Sequence, residues 1–112
     1  MATAVTVRDV GTPLPGAIAC LSPWVDLGVT GSSFTTQAAT DQLFSRDAAH
    51  AAAAAYLQGV DARHPLASPL AADLAGLPPT LLFAALDEVL LDDAVALAAV
   101  ARFTASVTAP PT

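Results

Sequence analysis

The sequence predicts an α/β protein built on a parallel sheet, and its pattern of apolar runs is the main reason. Two unbroken apolar runs of strand length, Gly16 to Leu21 and Leu81 to Leu86, lie far apart in the chain. Continuous rather than alternating hydrophobicity is typical of strands buried on both faces of a parallel sheet. Segments of helical character, Ala2 to Val10 and Leu90 to Phe103, alternate with these runs. Because two strands do not form a stable sheet, the sequence predicts part of a larger domain with an incomplete sheet.

The segment between the two strands predicts a loop followed by a helix. Gly28 to Thr40 is rich in Gly, Ser and Thr, which favours a loop. Ser45 is a good N-cap, and Arg46 to Gln58 is dense in Ala and ends before Gly59, which predicts a helix.

Prolines and apolar periodicity predict the structure of the remaining segments, from Asp61 to the end of the chain. Prolines favour loop structure from Asp61 to Pro69, and Leu70 to Leu77 predicts about one helical turn. The final helix has an inward stripe at helical spacing, formed by Leu90, Ala94, Leu97 and Ala101. The tail over 106–112 contains two prolines and is predicted to be disordered.

Composition and charge exclude several classes of partner. The chain has 112 residues, four Arg, no Lys and a formal net charge of -6, which argues against binding to nucleic acid or to an anionic membrane. Acids interrupt the long apolar stretch that begins at Leu81, so no membrane span is predicted. Because the start lacks the pattern of a targeting signal, we expect a cytoplasmic protein. Cys20 is the sole cysteine and is expected to be a buried, inert thiol.

An acid placed directly after the second apolar run is the best candidate for chemistry. Asp87 follows Leu86, and the carboxyl ends of parallel strands are where open α/β sheets hold catalytic groups. A carboxylate that caps a helix or bonds a loop is the alternative for Asp87. Asp92 and Asp93 are interpreted as first-turn acids that complement the helix dipole. A Ca²⁺ site formed by these three acids and Glu88 is disfavoured, because no Gly-containing ligand loop is present. No metal is therefore predicted.

Four motifs, in order along the chain, resemble one family of enzymes. They are Leu21 to Leu27 (LSPWVDL), Pro65 to Leu70 (PLASPL), Leu74 to Pro79 (LAGLPP) and Asp87 to Ala94 (DEVLLDDA). Together they resemble the bacterial hormone-sensitive-lipase-like esterases of the α/β-hydrolase superfamily. The resemblance implies a partial α/β-hydrolase fold over residues 1–112, in which residues 28–60 are a cap segment that shapes the acyl pocket.

The resemblance also implies a Ser-Asp-His triad, in which Asp87 would be the acid that orients the catalytic imidazole. No G-x-S-x-G elbow occurs in the 112 residues, and the catalytic His is expected beyond them. His50 and His64 do not match the position of the catalytic His in the family. Ser22 lies at a strand end, where reactive residues occur, but Pro23 after it removes a backbone donor that an elbow would offer the oxyanion. A self-contained triad is therefore not expected. Trp24 is interpreted as a packing residue near the pocket floor.

These observations lead to one enzymatic hypothesis and two alternatives. The first is a fragment of a carboxylic-ester hydrolase, acting on a small ester or lactone without metal or organic cofactor, which is inactive alone because the nucleophile, base and oxyanion donors are missing. Uncovered sheet edges indicate an interaction module that docks onto a partner chain completing the fold. A decayed gene remnant without independent function is the third hypothesis.

Overall fold

The computed structural model describes residues 1–100 and the backbone of a strand over 105–108. Among these residues the elements follow one another as α1 (Ala2–Asp9), β1 (Ile18–Leu21), α2 (Ser33–Thr36), α3 (Arg46–Leu57), a 3₁₀ turn (Pro69–Ala71), β2 (Thr80–Phe83), α4 (Leu91–Val100) and β3 (Ala105–Thr108). The predicted alternation of strands and helices is confirmed.

The three strands form one parallel sheet in the order β1-β2-β3. Ile18 pairs with Thr80, and Thr80 pairs with Ala105 on its other side. The sequence predicted two strands and a disordered tail. Because Ser106 to Thr108 lie in β3, that prediction is wrong for those residues, while 109–112 lie outside the described part of the chain.

The two faces of the sheet differ in exposure in the described part of the chain. Leu82 is fully buried on the face that packs against α1 and α4. On the opposite face Leu21 is 76% exposed and Leu81 is 41% exposed. The apolar runs indicate strands that can be covered on both faces, whereas the described helices α1 and α4 pack on one face only. The open face agrees with the incomplete sheet that the sequence predicted.

The buried side chains under the covered face form the larger of two apolar clusters. It joins α1, β2, α4 and the loops between them, and we call it the scaffold cluster: Ala4, Val5, Val25, Leu74, Leu77, Leu82 and Leu97. The predicted inward stripe is confirmed at Ala94 and Leu97, which are fully buried. Ala101, and the end of the predicted helix at Phe103, lie outside the described residues.

A second, smaller cluster lies between residues 28–60 and the segment after β2. We call it the loop cluster: Val29, Phe34, Ala49 and Val89, with Trp24, Phe44 and Leu90 packed around it. The Trp24 ring meets the Phe44 ring edge to face, with centroids 5.3 Å apart. This contact agrees with the interpretation of Trp24 as a packing residue.

Helix α3 begins at Arg46 as the sequence predicted and ends at Leu57, one residue before the predicted end at Gln58. The Ser45 hydroxyl accepts a hydrogen bond from the Ala48 amide, and Gln58 and Gly59 both have positive φ angles at the other end. A further element was missed besides β3, since Ser33–Thr36 forms a helical turn within the predicted loop. This helical turn was missed because it depends on a tertiary contact, the burial of Phe34 in the loop cluster. No helix in the described residues is both long enough and apolar enough to cross a membrane.

Candidate active site

The segment between β2 and α4, residues 84–90, carries the acid predicted from the sequence, and we call it the acid loop. It leaves the carboxyl end of the middle strand of the sheet. Asp87 is exposed there, and its carboxylate makes no hydrogen bond within the described residues. Its backbone carbonyl accepts a hydrogen bond of 2.8 Å from the Thr40 hydroxyl.

Glu88, the next residue, is more enclosed than Asp87. Its Oε2 accepts a hydrogen bond of 2.9 Å from the Ser22 hydroxyl. Its Oε1 is buried and has no hydrogen-bond partner among the described residues. A buried carboxylate oxygen without a hydrogen-bond donor destabilises the folded protein, because its hydrogen bonds to water are lost on folding and are not replaced. This atom therefore marks a position where a donor is expected.

Ser22, at the end of β1, combines its hydrogen bond to Glu88 with an unusual backbone conformation. Its φ is +48°, in the left-handed region that L-residues rarely adopt. Its amide still donates 2.7 Å to the Phe83 carbonyl of the neighbouring strand. The carboxyl ends of β1 and β2 thus bring a hydroxyl and a carboxylate together. The sequence identified Ser22 only as a strand-end residue.

Asp41 links residues 28–60 to the acid loop. One carboxylate oxygen, Oδ2, accepts from the Val89 amide at 2.9 Å, and the other accepts from the amides of Leu43 and Phe44 at 2.8 and 2.9 Å. Partial burial alone would raise the pKa of Asp41, but these three backbone donors outweigh it and lower the pKa. The carboxylate is therefore held in its charged form.

A cavity of about 540 Å³ opens between the acid loop and residues 40–44, which precede α3. Its lining includes Ser22, Thr40, Asp41, Leu43, Asp87 and Glu88. Asp87 and Glu88 thus border the same space, with Asp41 as a third acid in the lining.

Asp92 and Asp93, interpreted as dipole-favouring acids, also hold loops in place. They do lie in the first turn of α4. The Asp92 carboxylate accepts from the Ser33 amide at 2.9 Å, while Asp93 Oδ2 accepts from the amides of Val25 and Asp26 at 3.0 and 3.1 Å. Burial raises the pKa of Asp93 to about 6, although those two amides act in the opposite direction.

A second cavity, of about 640 Å³, lies between the start of α1, the end of β1 and α3. Its walls are mainly apolar and include Met1, Leu21, Trp24, Ala52 and Tyr56. Helix α3 of the predicted cap segment therefore forms one side of an apolar space beside the carboxyl end of the sheet.

The histidines take no part in the hydrogen bonds around Glu88, and the cysteine lines the second cavity. His50 is exposed on α3, and His64 is exposed with its Nδ1 accepting from the Leu66 amide. Neither histidine is hydrogen-bonded to Asp87 or Glu88 in the described part of the chain. Cys20 is half-buried, and burial raises the pKa of its thiol, which disfavours the reactive thiolate.

Comparison with known families places this geometry in context. The profile of the family described as the alpha/beta hydrolase fold matches residues 1–109. The chain therefore belongs to the α/β-hydrolase fold family, of the type found in bacterial hormone-sensitive-lipase-like esterases. The resemblance drawn from the four motifs, and the partial α/β-hydrolase fold it implied, are confirmed.

The curated relatives that the chain matches include an acetyl-hydrolase and an esterase. The chain is 52% identical over 91 residues to an acetyl-hydrolase of Streptomyces hygroscopicus, covering 81% of this chain and 30% of the relative. It is 38% identical over 81 residues to an esterase of Acinetobacter venetianus, covering 71% of this chain and 27% of the relative. A crystal structure of an esterase from the bacterial hormone-sensitive lipase family superposes with a TM-score of 0.94 at 46% identity, over 96% of this chain and 37% of that one. The chain thus spans less than a third of the curated relatives' length.

Proposed function

We propose that this chain is the part of a carboxylic-ester hydrolase that carries the triad acid and a segment of the cap. The observation that carries the proposal is the acid loop at the carboxyl end of the middle strand, where a buried carboxylate oxygen lacks a donor. In the whole protein a Ser would attack the ester carbonyl and form an acyl-enzyme, which an activated water hydrolyses. We propose a small ester or lactone as substrate, in line with the acetyl-hydrolase and esterase relatives.

Two neighbouring acids compete for the triad role. The motif resemblance assigns it to Asp87, and that assignment stays a prediction. The geometry favours Glu88, because a triad acid is enclosed and accepts the Nδ1–H of the catalytic imidazole. Glu88 offers a buried oxygen without a donor, held in place by the Ser22 hydroxyl, whereas the Asp87 side chain is exposed. From the sequence, Glu88 was considered only as a member of a disfavoured Ca²⁺ site, although its position next to Asp87 at the strand tip was a signal that could have included it.

The test is a pair of isosteric substitutions in the protein expressed from the complete reading frame around this chain. Glu88→Gln is expected to lower kcat for p-nitrophenyl acetate by about 10³- to 10⁴-fold, because a neutral amide no longer favours the required imidazole tautomer. Asp87→Asn is expected to stay within about five-fold of the parent. The reverse pattern would assign the acid to Asp87, and absence of hydrolysis by the parent would overturn the proposed function.

For the 112 residues alone, we propose that hydrolysis is absent, because no G-x-S-x-G elbow is present in them. Hydrolysis above buffer by the purified 112-residue chain, abolished in Glu88→Gln or Asp87→Asn, would contradict this. Sequencing the DNA on both sides of the frame is the direct complement. An in-frame elbow upstream and a His codon downstream would support a working esterase, whereas intervening stop codons would support a remnant.

An interaction module is the second candidate function, and the exposed face of the sheet favours it. Leu21 and Leu81 leave apolar surface uncovered in the described residues, which is a feature of surfaces that pack against other protein. A partner chain completing the fold would cover this face. Co-purification with the product of a neighbouring frame would support the module, while a well-folded monomer on size exclusion would count against it.

A further inference from the structure

The backbone on both sides of Glu88 is held by two consecutive residues of the predicted cap segment. The Thr40 hydroxyl donates to the Asp87 carbonyl at 2.8 Å, and Asp41 Oδ2 accepts from the Val89 amide at 2.9 Å. These are the peptide groups that precede and follow Glu88. The Glu88 main chain is thus fixed from outside the acid loop, while its side chain is fixed by Ser22.

Further contacts tie the same two segments together. The Ser33 hydroxyl donates to the Val89 carbonyl and accepts from the Asp92 amide at 3.0 Å. Ser33 is itself buried, and Phe34 beside it packs with Val89 in the loop cluster. Both polar groups of the Val89 backbone are therefore satisfied by side chains of residues 28–60.

From these contacts we infer that Asp41 is a positioning residue for the triad acid, acting through the Val89 amide rather than on the substrate. The inference rests on the proposed function, and it holds whether Glu88 or Asp87 is the acid, because both lie on the acid loop. A hydrogen bond from an amide to a carboxylate is short and directional, so it fixes the loop more firmly than apolar contacts can. A triad acid displaced by about 1 Å loses much of its effect, since catalysis depends on near-attack geometry.

This inference changes the role expected for residues 28–60. A cap that only shapes the acyl pocket would affect how tightly each ester binds. A cap that also holds the acid loop would affect the chemical step itself, to the same extent for every acyl group. The two roles therefore differ in the kinetic parameter that a substitution changes.

Asp41→Asn separates the two roles because the two carboxylate oxygens have different partners. An Asn oxygen in place of Oδ1 keeps the local bonds from Leu43 and Phe44, while its NH₂ group then faces the Val89 amide and cannot accept from it. Asp61→Asn is the matched control. Asp61 also accepts from a nearby amide, that of Arg63, and among the described residues it makes no hydrogen bond to the acid loop.

The experiment compares both variants with the parent in the protein from the complete reading frame, using p-nitrophenyl acetate and butyrate. Asp41→Asn is expected to lower kcat by roughly 10- to 100-fold, equally for both esters, with KM within about two-fold. Asp61→Asn is expected to stay within about two-fold in both parameters. Circular dichroism and thermal melting check that the variants are folded.

Two outcomes would overturn the inference while leaving the proposed function intact. One is a kcat for Asp41→Asn equal to that of Asp61→Asn. The other is a rise in KM for butyrate alone with kcat unchanged, which would show a pocket wall rather than a positioning role. Failure of the parent to hydrolyse either ester would instead overturn the proposed function, and the positioning role with it.

Discussion

The scaffold cluster and the loop cluster stabilise the molecule in different ways. The scaffold cluster consists of aliphatic side chains from α1, β2, α4 and adjoining loops. The loop cluster is centred on Phe34 and is surrounded by side-chain hydrogen bonds to the acid loop. Apolar packing is non-directional and sets overall stability, whereas hydrogen bonds to backbone groups fix individual positions.

This difference predicts which substitutions should lower the free energy of unfolding and which should lower catalysis. Changes in the scaffold cluster should lower the free energy of unfolding with little change in catalysis per folded molecule. Changes in the contacts around the loop cluster should alter catalysis more than stability, as proposed for Asp41.

The largest stability effect is expected at Leu97, which is fully buried in the scaffold cluster. Leu97→Ala should lower the free energy of unfolding by about 3 to 5 kcal/mol, because it removes buried carbons and leaves a cavity. Val95→Ala in the same helix is the control, since Val95 is 47% exposed and should cost less than about 1 kcal/mol. Urea unfolding followed by circular dichroism measures both. Equal effects at the two positions would contradict the assignment of the scaffold cluster.

An intermediate effect on the free energy of unfolding is expected at Asp93, whose carboxylate accepts hydrogen bonds from the loop that joins the two clusters. Asp93 is 2% exposed, and its burial raises its pKa from 3.8 to about 6. Because the folded state then binds the proton more tightly than the unfolded state, this group's contribution is fully present below about pH 4 and is lost as the pH rises through about 6. The loss amounts to about 3 kcal/mol by the size of the pKa change.

Two variants test this pH dependence in urea unfolding between pH 4 and 7. Asp93→Asn should remove the fall in stability, and it can keep both loop bonds because they meet a single oxygen. Asp93→Ala should cost about 2 kcal/mol, since the amides of Val25 and Asp26 lose their acceptor. A parent whose stability rises over this pH range, with Asp93→Asn showing the same slope, would argue against a proton held by Asp93.

The smallest effect is expected at Leu21, which belongs to neither cluster and lies on the exposed face. In the 112-residue chain, Leu21→Thr should change the free energy of unfolding by less than about 0.5 kcal/mol and increase the soluble fraction. Leu82→Thr is the control, because Leu82 is fully buried on the other face and the same substitution should reduce folding. Sedimentation of lysates measures solubility. A lower soluble fraction for Leu21→Thr would show that this face is already covered.

Much of the fold could be predicted because its signals are local. The apolar runs around Ile18 and Leu82 predicted the strands, and Ser45 with Gly59 predicted the ends of α3. Capping and apolar periodicity depend on residues a few positions apart, so the sequence displays them directly. The family could also be predicted, since four short motifs occur in order.

The details of the candidate site could not be predicted, because they depend on contacts between distant residues. Ser22 and Glu88 are 66 positions apart, and Asp41 and Val89 are 48 positions apart. Asp92 and Asp93 have the same local pattern as ordinary first-turn acids, and only their long-range partners distinguish them. Residues 33–36 gave no helical signal of their own, and the helical turn depends on burial of Phe34.

The sequence by itself determined the α/β class, the esterase family and the acidic segment after the second strand, because hydrophobic pattern and short motifs are written in consecutive residues. Only the tertiary structure decided which face of the described sheet is open and that Glu88 is the enclosed acid beside an exposed Asp87. It also decided that residues 28–60 hold the acid loop by hydrogen bonds. The physical reason is that burial and hydrogen bonding belong to pairs of segments brought together by folding. No single segment contains that information.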